Sequence, residues 1–366
     1  MGDRAQGNPN SGARVWRRRE FLAAAGVAGL GLVAACGPNG SAPSGTGSAP
    51  ASGSGTATAQ QVTKVRAGVI AGLAENTFQY LGQQQGFFRD EGIDVEFTEF
   101  QAGGPMLKAL IAGELELAES GFGPLPPAVA QGAQIKLVGA SKPGLNFALY
   151  TKQNIERLED LYGKTVGIAD PGSFVHQLMV ALLENQGLDP TKPNYVNIGS
   201  SPAIFRAVLA GKVDAGPSQI DWVPESRRAP DVKVLLYFDE YLPNYVRTML
   251  MARDSDIQQR PDVLVRTMTA WARSIRYAIE HRDEWLALAE SKTGRPKDEL
   301  EFSYDYEIQH KIVAPNLAFD ADQVRFVQEL NVKSGAQKDV LPFDKVATLA
   351  LQEQVVAKLG AYEWKS

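Results

Sequence analysis

The chain has 366 residues and a formal net charge of −5, with 44% hydrophobic and 22% charged residues. That length and mix suit a globular protein of about two domains, and the acidic balance excludes the basic footprint of a nucleic-acid binder. The single cysteine, Cys36, excludes an intrachain disulfide.

Residues 1–35 read as an export signal. Arg17, Arg18 and Arg19 precede residues 21–35, an uncharged run rich in Ala and Gly. Cationic-then-apolar order is that of a signal peptide, and the run falls short of the roughly 20 strongly apolar residues that a spanning helix needs. Arg18-Arg19-Glu20-Phe21-Leu22 resembles the twin-arginine export motif, although the arginine triplet would also serve a general secretory signal. Val33-Ala34-Ala35-Cys36 resembles a bacterial lipobox. That likeness implies cleavage, lipidation of Cys36 and anchoring to the outer face of the cytoplasmic membrane. Loss of five Arg and two acids would leave a mature chain of about −8. Residues 37–61 are dominated by Gly, Ser, Ala, Pro and Thr, with no charge and no aromatic. Such a segment cannot bury enough apolar surface to fold. It reads as a flexible tether with an r.m.s. reach on the order of 25–30 Å.

From Val62 the pattern changes. Apolar runs and period-2 alternation predict strands at 64–70, 93–100, 115–118 and 135–139. Between them fall helices at 77–85, stopped by Gly86, at 105–112, bounded by Pro105 and Gly113, and at 124–130. A second cycle follows the extended run 147–150, with strands at 165–169, 195–198, 213–215 and 232–238 and helices at 173–186 and 202–210. One more extended run covers 245–252. The remainder reads as helical at 261–280, in a shorter segment to Glu290, and at 321–334 and 343–359. Strand–helix alternation predicts an α/β fold with parallel crossovers. The two cycles predict two lobes, 62–150 with 245–366 and 151–244, with a ligand cleft between them.

Three separated motifs carry a family likeness. Residues 80–95, which include Gly86-Phe87-Phe88 and Glu91-Gly92-Ile93-Asp94-Val95, resemble a signature of the nitrate/sulfonate/thiamine-precursor clan of ABC-transporter solute-binding proteins. Residues 158–167, with Gly163-Lys164-Thr165-Val166-Gly167, resemble the clan's start of its second lobe, and 210–215 a later helix-to-strand corner. The likeness runs from about Val65 to Trp285. It implies a two-lobed Venus-flytrap of the type II periplasmic-binding-protein kind, two crossover segments, and docking of the closed form on an ABC permease and its ATPase. A monomer is expected, and the acidic charge and the lack of paired Cys or clustered His give no support to a nucleic-acid partner, metal or cofactor. Read by themselves, Gly86 and Gly92 end helices, Phe87 and Phe88 are core, and Asp214 bonds nearby backbone at a tight corner.

Loops after strand C-termini are the candidate ligand contacts: Asn76 and Thr77 beside Glu75; Gln101, Gly103 and Gly104; Gly121 and Phe122; Asp170, Gly172, Ser173 and Phe174; Asp221 and Trp222; and Tyr245 near the second crossover. Gly lets backbone approach a ligand, a helix N-terminus favours anions, and Phe122, Phe174 and Trp222 can stack on a planar solute. Each has a plain alternative, such as Ser173 capping its own helix or Trp222 serving as core. These loops carry Glu75, Asp170 and Asp221 but no Arg or Lys. That balance points first to a neutral or amine-bearing planar heteroaromatic, such as a thiamine-pyrimidine precursor, and second to an alkanesulfonate or nitrate-type anion. His176, His281 and His310 stand far apart and no HExxH or Gly-x-Ser-x-Gly lies in the body, so an enzyme is not expected. A cysteine-rich pyrimidine synthase of the clan is excluded because no Cys follows Cys36. A solute sensor uncoupled from import is the remaining alternative.

Overall fold

The computed structural model describes residues 62–364. The export signal, Cys36 and the tether lie outside the described residues. Ten strands are described: β1 (Thr63–Ile70), β2 (Ile93–Phe100), β3 (Leu117–Gly121), β4 (Ile135–Lys142), β5 (Phe147–Lys152), β6 (Thr165–Ile168), β7 (Asn194–Asn197), β8 (Ala215–Gln219), β9 (Val232–Tyr237) and β10 (Thr248–Arg253). They form two five-stranded sheets, ordered β2-β1-β3-β10-β4 and β7-β6-β8-β5-β9. In the first sheet β1 runs parallel to β2 and β3, and β10 is antiparallel to β3 and β4. In the second, β6 is parallel to β7 and β8, and β5 is antiparallel to β8 and β9. In each sheet the antiparallel strand is the one the chain enters on arriving from the other lobe.

The chain therefore crosses twice, through residues 143–146 and residues 238–247. The sequence reading placed 147–150 in the first lobe; the ladder from Phe147 to Thr151 against Gln219 to Ala215 puts that run in the second sheet. β4 continues to Lys142 rather than ending at Gly139, since every residue from Leu137 to Lys142 is buried and no polar alternation marks its end. β8 lies at Ala215–Gln219, two residues later than predicted. Val213 is core, and the Asp214 carboxylate accepts from both the backbone N–H and the hydroxyl of Thr165 at 2.8 and 2.7 Å, holding the corner that precedes the strand.

Helices cover both faces of each sheet. Phe78, Leu81, Phe88, Trp271 and Trp285 pack on one side of the first sheet, where Phe88 meets Trp271 edge-on at 6.1 Å. The closing helix Ala350–Leu359 returns to this core through Leu351 and Val355. A second apolar cluster starts under the other side, at Met106, Leu125 and Leu137. It runs without a break through Phe122, Tyr245 and Phe147 into Leu178 and Leu182 of the second lobe.

One long element was not anticipated. Helix Lys297–Gln309 buries Glu299, Leu300, Ser303, Tyr304, Tyr306 and Glu307. Its covered face is largely acidic and phenolic, so it offers no apolar stripe to read. It touches both lobes: the Tyr304 hydroxyl donates to the Ala278 carbonyl at 2.7 Å, and the Tyr306 hydroxyl donates to Asp239 at 2.8 Å.

Candidate functional site

The two crossings meet at one point. Lys142, the last residue of β4, is the register partner of Thr248, the first of β10. Arg247, arriving from the second lobe, lies next to it in sequence. In the other sheet Phe147 pairs with Gln219, and the Ile220 N–H donates to the Asn146 carbonyl at 3.0 Å. The residues after β8 are thereby drawn to the first crossing.

A buried charged cluster fills this junction. Lys142 is 3% exposed and Arg247 7%. The Glu75 carboxylate, from the loop after β1, binds both: Lys142 Nζ lies 3.3 Å from Glu75 Oε2, and Arg247 Nη1 donates to the same oxygen. Lys142 Nζ also donates to Glu307 Oε2 at 2.7 Å, while Asn146 Nδ2 donates to Glu307 Oε1 at 2.6 Å. Burial alone would raise Glu75, but Arg247 and Lys142 outweigh it and hold the carboxyl at about 2. Glu119, which lines a cavity with Glu75, feels Lys142 and Ser141 only weakly against its burial and makes no ion pair at contact distance among the described residues. It accepts from Gln79 Nε2 at 3.1 Å and Trp271 Nε1 at 3.4 Å, and burial pushes it up to about 7.

A second cluster continues into the other lobe. Asp221 accepts from Arg295 Nη1 at 2.8 Å and from the Ser303 hydroxyl at 2.7 Å. Glu75 separates two cavities of about 10 Å³ each, at the threshold for a single water. One is lined by Gln79, Glu119 and Lys142, the other by Asn146, Asp221, Trp285 and Glu307. Among the described residues, Gln79 Oε1, Asn146 Oδ1 and Trp285 Nε1 are buried without a hydrogen-bond partner. Roomier grooves of about 530 and 720 Å³ run along the outer strands β2 and β9 and share no residue with this cluster.

The sequence-predicted site residues disperse around this junction. Asn76 and Thr77 are buried, and Asn76 Nδ2 donates to the Ile70 carbonyl at 2.5 Å. Gly103 opens the helix Gly103–Ala112 so close to Ser120 that a Cβ would stand 2.5 Å from its hydroxyl. Gly121 shares that crevice, and Gln101 and Gly104 are exposed. Phe122 is fully buried core. Asp170 is exposed and accepts from Asn197 at 2.7 Å. Gly172, at φ 80°, donates its N–H to His176 Nδ1 at 2.9 Å. That contact makes the ring neutral with its proton on Nε2. Ser173 caps the helix Phe174–Asn185.

Phe174 and Tyr245 do meet, at 5.7 Å between ring centroids, and Phe174 also meets Phe147 at 5.2 Å. Trp222 is stacked on Phe205 at 5.4 Å, with the guanidinium of Arg295 4.0 Å from its centroid. Its ring is committed to packing within the second lobe and along helix Lys297–Gln309. The acidic balance of the loops also changes meaning. Glu75 and Asp221 are each neutralised by internal cations, so neither is free to bind an amine. Lys142 and Arg247 escaped notice because they sit on strand ends rather than in loops, and Glu307 because its helix was not predicted.

Several protein comparisons bear on this geometry. The taurine-binding periplasmic protein of Escherichia coli (strain K12) is 32% identical over 129 residues, which is 35% of this chain and 40% of that protein's own length. The formylaminopyrimidine-binding protein of Halalkalibacterium halodurans is 21% identical over 246 residues, 65% of this chain and 72% of that protein. The crystal structure of the periplasmic aliphatic sulphonate binding protein SsuA from Escherichia coli superposes with a TM-score of 0.63 at 21% identity, covering 77% of this chain and 91% of that one. The fold is accordingly that of a two-lobed type II periplasmic binding protein. Residues 74–285 match the family model described as NMT1/THI5 like, and the chain belongs to that family.

Proposed function

We propose that this protein is the extracytoplasmic solute-binding component of an ABC importer and that its solute is a small organic anion of the sulfonate class. The observation that carries the reading is the buried Lys142–Arg247 pair where both crossings meet, in the position a closing cleft would wrap. Two desolvated cations, one of them a guanidinium able to make forked contacts, suit an oxyanion. The named ligands of the taurine- and sulphonate-binding relatives agree with that chemistry. A planar heteroaromatic is the second reading, favoured by the Phe147–Phe174–Tyr245 ring group.

No enzymatic step is assigned. His281 Nδ1 contacts its own helix at the Tyr277 carbonyl, and His310 contacts Asp239, so neither stands in the cluster. The protein is proposed to be exported, by the twin-arginine or the general route, and to act as a monomer held to the membrane by lipidated Cys36. Loss of fatty-acid probe labelling in Cys36→Ala is the expected result; equal labelling would remove the anchor. The solute class is tested by thermal shift against taurine, ethanesulfonate, nitrate and formylaminopyrimidine. A sulfonate at 100 times its Kd should add about 2.7 kcal/mol of stability. A response to formylaminopyrimidine alone would make the second reading the answer.

A further inference from the structure

Glu75 occupies the cation pair as a ligand would. Its carboxylate is the group that contacts both Lys142 and Arg247, and it forms the wall between the two small cavities. Lys142 has a second carboxylate, Glu307, at 2.7 Å. Arg247 has none at such range: among the described residues its hydrogen bonds run from Nη1, to Glu75 and Thr248. The buried atoms Gln79 Oε1 on one side of Glu75, and Asn146 Oδ1 and Trp285 Nε1 on the other, have no hydrogen-bond partner. Unsatisfied polar groups at this depth are costly. Gln79, Asn146 and Trp285 line the two spaces that would merge if the Glu75 side chain left; Trp285 Nε1 is a donor for an anion, and the two amide oxygens would accept from a donor on the solute or a water.

We infer that Glu75 is a built-in stand-in for the solute anion: it neutralises Lys142 and Arg247 in the empty protein, and the anionic group of the solute displaces it and takes its place on Arg247. This rests on the solute-binding reading above and adds a specificity rule to it. Every incoming anion competes with a carboxylate that is part of the chain. A neutral solute gains nothing from the exchange, and a weakly held anion such as chloride does not win it. The ring of Phe147, 5.2 Å from the Arg247 guanidinium, keeps that cation in place during the exchange.

The test compares the wild-type protein, Glu75→Gln and Glu75→Gln/Arg247→Gln by calorimetric titration with ethanesulfonate at fixed ionic strength. Removal of the internal competitor should tighten ethanesulfonate binding at least tenfold in Glu75→Gln, and the added Arg247→Gln should abolish the gain. Equal or weaker binding in Glu75→Gln overturns the inference, as does a gain that survives loss of Arg247. Should Glu75→Gln not fold, Glu75→Asp withdraws the carboxylate by one methylene while keeping its charge. A smaller gain is then expected, and a loss overturns the proposal. The outcomes separate from those of the parent reading. Wild-type protein that binds a sulfonate with no gain in the variant removes the stand-in alone. Absence of binding in every form removes both.

Discussion

Lys142→Met is expected to lower stability by about 3–5 kcal/mol at pH 7, the usual result of removing one partner of a buried ion pair. Lys142 is 3% exposed and faces Glu75 at 3.3 Å and Glu307 at 2.7 Å. The loss is not shared equally. Glu75 retains Arg247, whereas Glu307 keeps only the Asn146 amide. Burial already raises Glu307 above the ordinary range, with Lys142 opposing the rise. Without the lysine it would bind a proton at still higher pH, so the defect should shrink as the pH is lowered. Denaturant melts of Lys142→Met and of Lys142→Met/Glu307→Gln at pH 5 and pH 8 check this. Recovery in the double variant places the cost on the orphaned carboxylate; an unchanged loss places it on packing of the lysine stem.

Glu119→Gln should raise stability above neutral pH by about 3 kcal/mol, the equivalent of a pKa displaced from 4.5 to about 7 at 1.36 kcal/mol per unit. The folded protein holds the Glu119 proton more tightly than the unfolded chain does. Its contribution is therefore complete below about pH 4.5 and is lost as pH rises through 7. A neutral amide should remove that slope while its oxygen still accepts from Gln79 and Trp271. Glu75 has the opposite sign. Its folded value of about 2 lies below the unfolded one, so its stabilisation is present above about pH 4.5 and disappears as pH falls toward 2. Two carboxyls that line one cavity thus tilt the stability curve in opposite directions, and a pH series of Glu119→Gln isolates one of them. A wild-type-like slope between pH 5 and 8 in the variant would refute the assignment.

The architecture was legible where a residue's burial matched its place in a repeat. Ile93–Phe100 alternates buried and exposed at its start, and it was read with its observed bounds. Pro261–Glu280 was equally clear, because its buried positions recur at helical spacing through Leu264, Met268, Trp271 and Ile275. β8 was misplaced because all five of its residues are buried and two are Gly216 and Pro217, which signal a turn. The charged junction was illegible for a different reason. Its members come from a loop, two strand ends and a helix, and they meet only because the two crossings share a register. In sequence a buried Lys142 looks like any surface lysine; it is the pairing with Thr248 that carries it inside. Asp221 was found, but as a free acid, since its partner Arg295 lies 74 residues away.

The apolar cluster that runs from Met106 through Phe122, Tyr245 and Phe147 to Leu182 gives solute capture a calorimetric signature. Parting the lobes would wet the Phe174–Tyr245 contact and the hydrogen bond from Gln177 to Asn331. Apolar hydration carries heat capacity. A protein that closes on its solute should therefore bind with a markedly negative ΔCp. One that already rests with this seam shut should bind with a ΔCp close to that of the ligand's own burial. The temperature dependence of the binding enthalpy thus reports how wide the protein stands before the solute arrives.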